Sequence, residues 1–138
     1  MIAYVDSSVV LRLTLGQAGR LREWRRIESG VASGLVEVEC LRTLDRLRID
    51  ESLTDESIAR YREAVYALML KCEVVWPDAT VLRRASQPLP TPVGTLDAIH
   101  LATALTWREQ RDESLVFATH DRALGVAARS MGFKVIGL

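Results

Sequence analysis

The chain has 138 residues, 49% apolar and 26% charged, the balance of a globular protein able to bury one hydrophobic core. No run approaches the roughly 18 consecutive apolar residues of a membrane-spanning helix, which argues against a membrane protein. Formal net charge is zero, so no global basic field announces nucleic acid. The positive charge is nonetheless biased, with 16 Arg against 2 Lys; guanidinium is the better fork for phosphate, although Arg abundance also follows genome composition.

The first residues run straight into an apolar stretch with no basic flank or cleavage pattern, so a cytoplasmic location is expected. Ile2-Ala-Tyr-Val5 reads as a buried parallel-type strand. It meets an acid, Asp6, and two small hydroxyl residues, Ser7 and Ser8. A short helix follows from Val9 to Leu15, ended by Gly16. Arg20 to Glu28 is predicted as a second, very basic helix around Trp24, stopped by Ser29-Gly30. Val31-Ala32 is a brief strand, after which Ser33 is placed to N-cap a helix from Leu35 to about Arg48. Thr54-Asp-Glu-Ser57 opens a long amphipathic helix to about Lys71, with Ile58, Tyr61, Val65 and Leu68 at helical spacing.

Val74-Val75-Trp76 is a third strand, closed by Pro77, and Asp78 caps a helix through Val81, Leu82 and Ala85. The segment Gln87–Gly94 holds three of the four prolines and is the one clear loop. It leads into a strong helix from Thr95 to about Arg111. Leu115 to Ala118 is a fourth strand ending at Thr119-His120-Asp121, followed by a helix from Arg122 to Met131 and a last strand, Lys134 to Ile136. Strands alternating with helices imply an α/β fold, a mostly parallel sheet of about five strands covered on both faces, within one domain spanning 1–138. Cys40 and Cys72 lie in apolar patterns without a Cys-x-x-Cys motif and are expected to be free core thiols.

Asp6 and Asp121 share one arrangement: an apolar strand, then an acid at the start of a helix with one or two small polar residues beside it. Ligands of an open parallel sheet sit outside the carboxyl ends of its strands, so two such acids would face one crevice. Each is also a good N-cap, which is the plainer alternative. Asp97 lines up with Leu101, Ala104 and Leu105, the side that should face the sheet. A carboxylate on a buried stripe is costly unless paired or metal-bound, although the first turn of a helix also suits an anion. Periodicity does not select Glu39: Glu37 lies nearer the apolar arc of Val36, Cys40, Leu41 and Leu44, and Glu39 stands beside Arg42.

The two histidines, His100 and His120, have no zinc-ligand spacing, and no nucleophile elbow or phosphate-binding Gly-rich loop is present. His100 reads as structural, whereas His120, next to Asp121, is placed to touch substrate. Acids without histidine or thiolate partners suit a hard, oxygen-bound ion such as Mg²⁺ or Mn²⁺. A phosphatase using Asp6 as nucleophile is a poorer fit, since that class usually places a second acid two residues on and this chain has Ser8 there.

Asp6-Ser-Ser, Ser33 followed by Glu39, Thr95-Leu-Asp97-Ala-Ile-His100-Leu-Ala-Thr-Ala104 and Thr119-His-Asp121 together resemble the PIN domain, and within it the VapC-type ribonuclease toxins. The resemblance covers essentially the whole chain, and the Asp97 segment is its most specific part. It implies a three-layer PIN-like fold with an acidic quartet of Asp6, Glu39, Asp97 and Asp121, and it is what selects Glu39 over Glu37. It further implies Mg²⁺- or Mn²⁺-dependent cleavage of structured RNA such as tRNA or rRNA, and neutralisation by a cognate VapB-type antitoxin. In that frame Asp6, Asp97 and Asp121 are ligands, and Glu39 is a further ligand or orients the attacking water. Ser7 and Thr119 support the ligands. The alternative is a PIN-like module that binds RNA or protein without cutting.

Two surface expectations complete the reading. Arg22, Arg25 and Arg26 on the second helix would meet RNA phosphates, unless that face is merely solvated. The helices from Ser33 to Arg48 and Thr54 to Lys71 should form a hairpin whose Leu41, Leu44, Leu47, Tyr61, Val65, Leu68 and Met69 leave an apolar groove for an antitoxin helix. Homodimers and toxin–antitoxin hetero-oligomers are the assemblies expected.

Overall fold

Five short apolar runs pair into one all-parallel sheet in the computed structural model, which describes residues 1–138. In chain order the elements are β1 (Ile2–Val5), α1 (Ser7–Thr14), a 3₁₀ segment (Arg22–Arg26), β2 (Ser29–Ser33), α2 (Leu35–Asp50) and α3 (Asp55–Met69). They continue with β3 (Cys72–Val75), α4 (Ala79–Ala85), α5 (Thr95–Arg111), β4 (Val116–Ala118), α6 (Arg122–Ser130) and β5 (Lys134–Ile136). The spatial order is β3-β2-β1-β4-β5.

The chain therefore runs outward from β1 to β3, crosses back to β4 beside β1, and ends at β5. Right-handed crossovers in the two directions fall on opposite faces. Accordingly α1, α2 and α3 cover one face, α5 and α6 the other, with α4 against α5. The strands divide their side chains by the period of two. Ala3, Val5, Ala32 and Ala118 pack with Val36, Cys40, Leu44 and Val65, while Tyr4, Val31 and Phe117 pack with Leu101, Leu105 and Leu124. Tyr4 stacks on Phe117 at 4.9 Å between ring centroids, and Phe117 meets Phe133 at 5.5 Å. Truncating Phe117 to Ala would cost about 3–5 kcal/mol by the usual large-to-small penalty.

The reversal of strand order lies between β1 and β4, and this position sets the site. Val5 and Ala118 are paired across it, so the next residues, Asp6 and Thr119, emerge side by side at the carboxyl edge. The Asp6 amide donates to the Ala118 carbonyl at 3.3 Å, extending the ladder by one rung. No helix is long and apolar enough to cross a membrane.

Four local expectations are corrected. The basic helix predicted over Arg20–Glu28 is only the 3₁₀ segment. Leu21 is buried, Trp24 and Ile27 pack beside it, and Ile27 is already extended, so that the Glu28 amide reaches the Met1 carbonyl at 3.0 Å. The chain is thus pulled into β2 before a second α-turn can form. The N-cap of α2 is Gly34 rather than Ser33. Ser33 still closes β2, and its hydroxyl accepts from the Leu35 amide at 3.2 Å. Gly34 lies under the Trp76 ring, where a Cβ would collide with the indole.

The third strand begins at Cys72, and Trp76 lies beyond it, 72% exposed. Finally, α2 and α3 do form a hairpin, but their apolar residues do not line an open groove. Leu44, Val65 and Met69 are buried, and Leu41, Leu47, Tyr61 and Leu68 pack against the same core. The hairpin thus shares one core with Val9 and Val10 of α1.

Candidate active site

Asp6 sits where β1 becomes α1, in extended backbone, and N-caps the helix. It is 3% exposed. Its Oδ1 accepts from the Val9 amide (3.2 Å) and the Ser8 hydroxyl (2.7 Å), and its Oδ2 accepts from the Thr119 hydroxyl (2.8 Å). Burial pushes the carboxyl up from its ordinary value, and the Ser8 and Thr119 donors, His100 and the Val9 amide work against that rise. The capping alternative and the site alternative therefore coexist in one side chain.

Thr119 is fully buried and joins two acids. Its hydroxyl donates to Asp6 and accepts from the Asp121 amide at 2.9 Å. Asp121 is exposed; its Oδ1 caps α6 through the Leu124 amide at 2.9 Å. Ser8 makes a second link between the strands: its hydroxyl donates to Asp6 and accepts from the His120 amide at 2.8 Å.

From the other side of the crevice, α2 and α5 bring Glu39 and Asp97. Glu39 is half-buried, and its carboxylate accepts from His100 Nε2 at 2.8 Å. His100 is itself buried, and its Nδ1 lies 2.7 Å from the Tyr4 hydroxyl. A carboxylate only accepts, so Nε2 carries a proton. Tyr4, His100 and Glu39 thus form a hydrogen-bonded chain from the core to the crevice. Asp97, in the first turn of α5, is half-buried. Burial raises its carboxyl, Asp121 raises it next, and Asp6 and Glu39 add to the rise, while His100 lowers it. No protein donor contributes to that balance.

The four predicted acids accordingly bear on one another at the carboxyl edge. No three His, Cys, Asp or Glu side chains stand at metal-ligating spacing, so the acids line an open crevice rather than a closed cage. The donor set still fits a hydrated divalent cation. It is made of carboxylate oxygens, Asp97 has no protein donor, and each acid adds field that a positive charge would relieve. A thiol has no part in this chemistry: burial first, then Glu39, Asp6 and Glu37, hold Cys40 up at about 12.

Among the remaining predicted residues, Ser7 makes no side-chain bond to the acids; with Glu39, Arg42, Arg46 and Leu96 it lines a cavity of about 430 Å³ beside the crevice. The supporting hydroxyl is Ser8 instead. His120 Nδ1 lies 2.6 Å from the Gly137 carbonyl. Arg22, Arg25 and Arg26 fall on different surfaces. Arg22 shares a cavity with His120, whereas Arg25 lines one with Gly30 and Lys71 near the amino ends of the strands. Arg26 is exposed, and its carbonyl accepts from the Met1 amino group.

Sequence reasoning missed Ser8 and the involvement of His100. Both left a signal: Ser8 is two residues from a capping acid, and His100 is one turn beyond Asp97 on the same face of α5.

Comparison with known proteins agrees with this architecture. The PIN domain family model matches residues 3–130. The chain belongs to the PIN-domain family, whose members are generally metal-dependent nucleases. Similar solved structures include PAE2754 from Pyrobaculum aerophilum, at 17% identity and a TM-score of 0.60, covering 98% of this chain and 83% of that one. FitAB bound to an IR36 DNA fragment is similar at 16% identity and a TM-score of 0.64, covering 98% and 93%. No curated protein matches significantly.

Proposed function

We propose that this protein is a divalent-metal-dependent endoribonuclease, acting in the cytoplasm as the toxin of a toxin–antitoxin pair on structured RNA such as tRNA or rRNA. The observation that carries the nuclease reading is Asp97, half-buried without a protein donor and raised first by that burial and then by the field of Asp121, Asp6 and Glu39. Such an acid costs stability and is best explained by chemistry. Asp6, Asp97 and Asp121 would hold Mg²⁺ or Mn²⁺, with Glu39 as a further ligand or as the group orienting water. When bound, the cation supplies positive charge against the phosphodiester and Lewis acidity toward its oxygens.

The chain's own residues do the rest. Ser8 and Thr119 fix both Asp6 oxygens. The Tyr4–His100 pair aims Glu39, which can orient a water and take its proton. Ser7 and the adjoining cavity offer room for the nucleotide next to the scissile bond. The toxin role is supported by the resemblance to VapC-type toxins, and a nucleic-acid setting by the fold shared with FitAB, which was solved on DNA. A VapB-type antitoxin is the partner this implies, in homodimers and hetero-oligomers.

The open spacing of the acids favours a second reading, a PIN-like binding module without nuclease activity. Asp97→Asn separates the two. The variant should lose cleavage of RNA by about 10²-fold or more with Mg²⁺ or Mn²⁺, while its melting temperature without metal stays equal or rises. Full activity in the Asn variant would overturn the assignment of Asp97, and a wild type with no carboxylate-dependent Mn²⁺ binding would favour the module.

A further inference from the structure

Beside the acidic crevice lies a feature of opposite sign. Two adjoining cavities, of about 460 and 470 Å³, share Arg12, His120, Gly137 and Leu138 and form one continuous cleft. Arg20 and Arg22 line one end, Arg122 and Arg129 the other. None of these five arginines makes an ion pair. Arg12 bonds only the Gly19 carbonyl, at 3.4 Å, and Glu23 is the one acidic side chain in the lining. In a chain of zero net charge, five guanidinium groups without an ion pair around one cleft, against the single acidic side chain of Glu23, favour anionic oxygen there.

His120 narrows the ligand class. Its Nδ1 faces the Gly137 carbonyl at 2.6 Å. A carbonyl only accepts, so Nδ1 carries a proton, and Nε2 is the ring nitrogen left for a ligand. That Nε2 is buried and has no partner in the protein. The cleft thus combines donors suited to phosphate with an unpartnered ring nitrogen suited to a hydroxyl, which can both donate and accept. Both are met by a ribose-phosphate unit, and a deoxyribose unit lacks the hydroxyl.

The cleft is also joined to the acidic crevice. The His120 amide bonds Ser8, whose hydroxyl bonds Asp6, and Asp121 follows His120 directly. We infer that this cleft is an RNA-backbone subsite, with Arg12, Arg20, Arg22, Arg122 and Arg129 holding phosphates and His120 Nε2 hydrogen-bonding the 2′-hydroxyl of a nucleotide flanking the scissile bond. The inference rests on the nuclease reading only for what happens next door; binding in the cleft needs no metal.

The test measures binding rather than cleavage, on the Asp97→Asn background without divalent cation. Fluorescence anisotropy would follow a single-stranded RNA hexamer and the DNA hexamer of the same sequence over a range of salt. Arg22→Gln with Arg122→Gln should weaken both ligands and lower the salt slope by about 1–2. His120→Asn keeps a donor for the Gly137 carbonyl and removes Nε2; it should weaken RNA by about 3–10-fold and leave DNA unchanged. An unchanged slope in the arginine pair overturns the phosphate site, as does an equal loss from Arg60→Gln on α3, which would mark diffuse charge only. Equal loss of RNA and DNA in His120→Asn overturns the hydroxyl contact. Should His120→Asn fail to fold, the exposed arginine pair still decides. Normal cleft binding by a wild type that cleaves no RNA with Mg²⁺ or Mn²⁺ would instead remove the nuclease assignment and leave the cleft standing.

Discussion

Thr119 is the most exacting place to perturb the molecule, because one buried hydroxyl serves an acid from β1 and the amide that opens α6. Thr119→Val keeps the volume and removes both bonds. The bond to the Asp6 carboxylate belongs to the charged class, worth about 1.5–3 kcal/mol, and the stranded Asp121 amide adds about 0.5–1.5 kcal/mol. The variant should therefore lose about 2–4 kcal/mol. Thr119→Ser keeps both bonds and forfeits one buried methyl, about 1 kcal/mol. Denaturant unfolding of the metal-free protein near pH 7.5 would measure the two against wild type. The difference should narrow as pH falls through the raised range of Asp6, because without the Thr119 donor burial lifts the carboxyl further and protonation relieves it sooner. Val and Ser variants of equal stability near neutral pH would refute the reasoning, since they differ chiefly in those two bonds.

Other outcomes follow from the same site. Burial raises Asp6 and Asp97 in the fold, so there the folded state binds protons that the unfolded chain has released. Metal-free stability from these two groups should rise as pH falls from neutral through their raised values, and stop rising below the ordinary carboxylate range. Denaturation midpoints across that window, in wild type and in Asp97→Asn, check the sign; the Asn variant should show the shallower dependence. His100→Phe removes the donor that aims Glu39. Cleavage should fall about 10–100-fold in kcat, as for other groups that orient ligands, with KM little changed; a loss confined to KM would assign His100 to substrate binding instead.

The sequence by itself determined the alternation of strand and helix, because each apolar run is short, bounded by caps or turn residues, and of one clear period. It also determined that Asp6, Asp97 and Asp121 open helices, since caps and first-turn acids are local features. Glu39 lay beyond local physics. Whether it or Glu37 turns toward the crevice depends on where α5 places His100, a residue 61 positions away along the chain, and only the family resemblance distinguished them beforehand. The 3₁₀ segment behaved likewise: its composition suits a helix, yet the anchoring of Leu21 and the rung from Glu28 to Met1 decide its end. The apolar residues of the α2–α3 hairpin looked surplus to one sheet contact until the fold placed them in a core shared with Val9 and Val10 of α1. Tertiary structure alone decided which face those residues cover, that Ser8 rather than Ser7 braces Asp6, and that five scattered arginines line one cleft. Periodicity records which side of a helix is apolar; the topology of the sheet decides what that side meets.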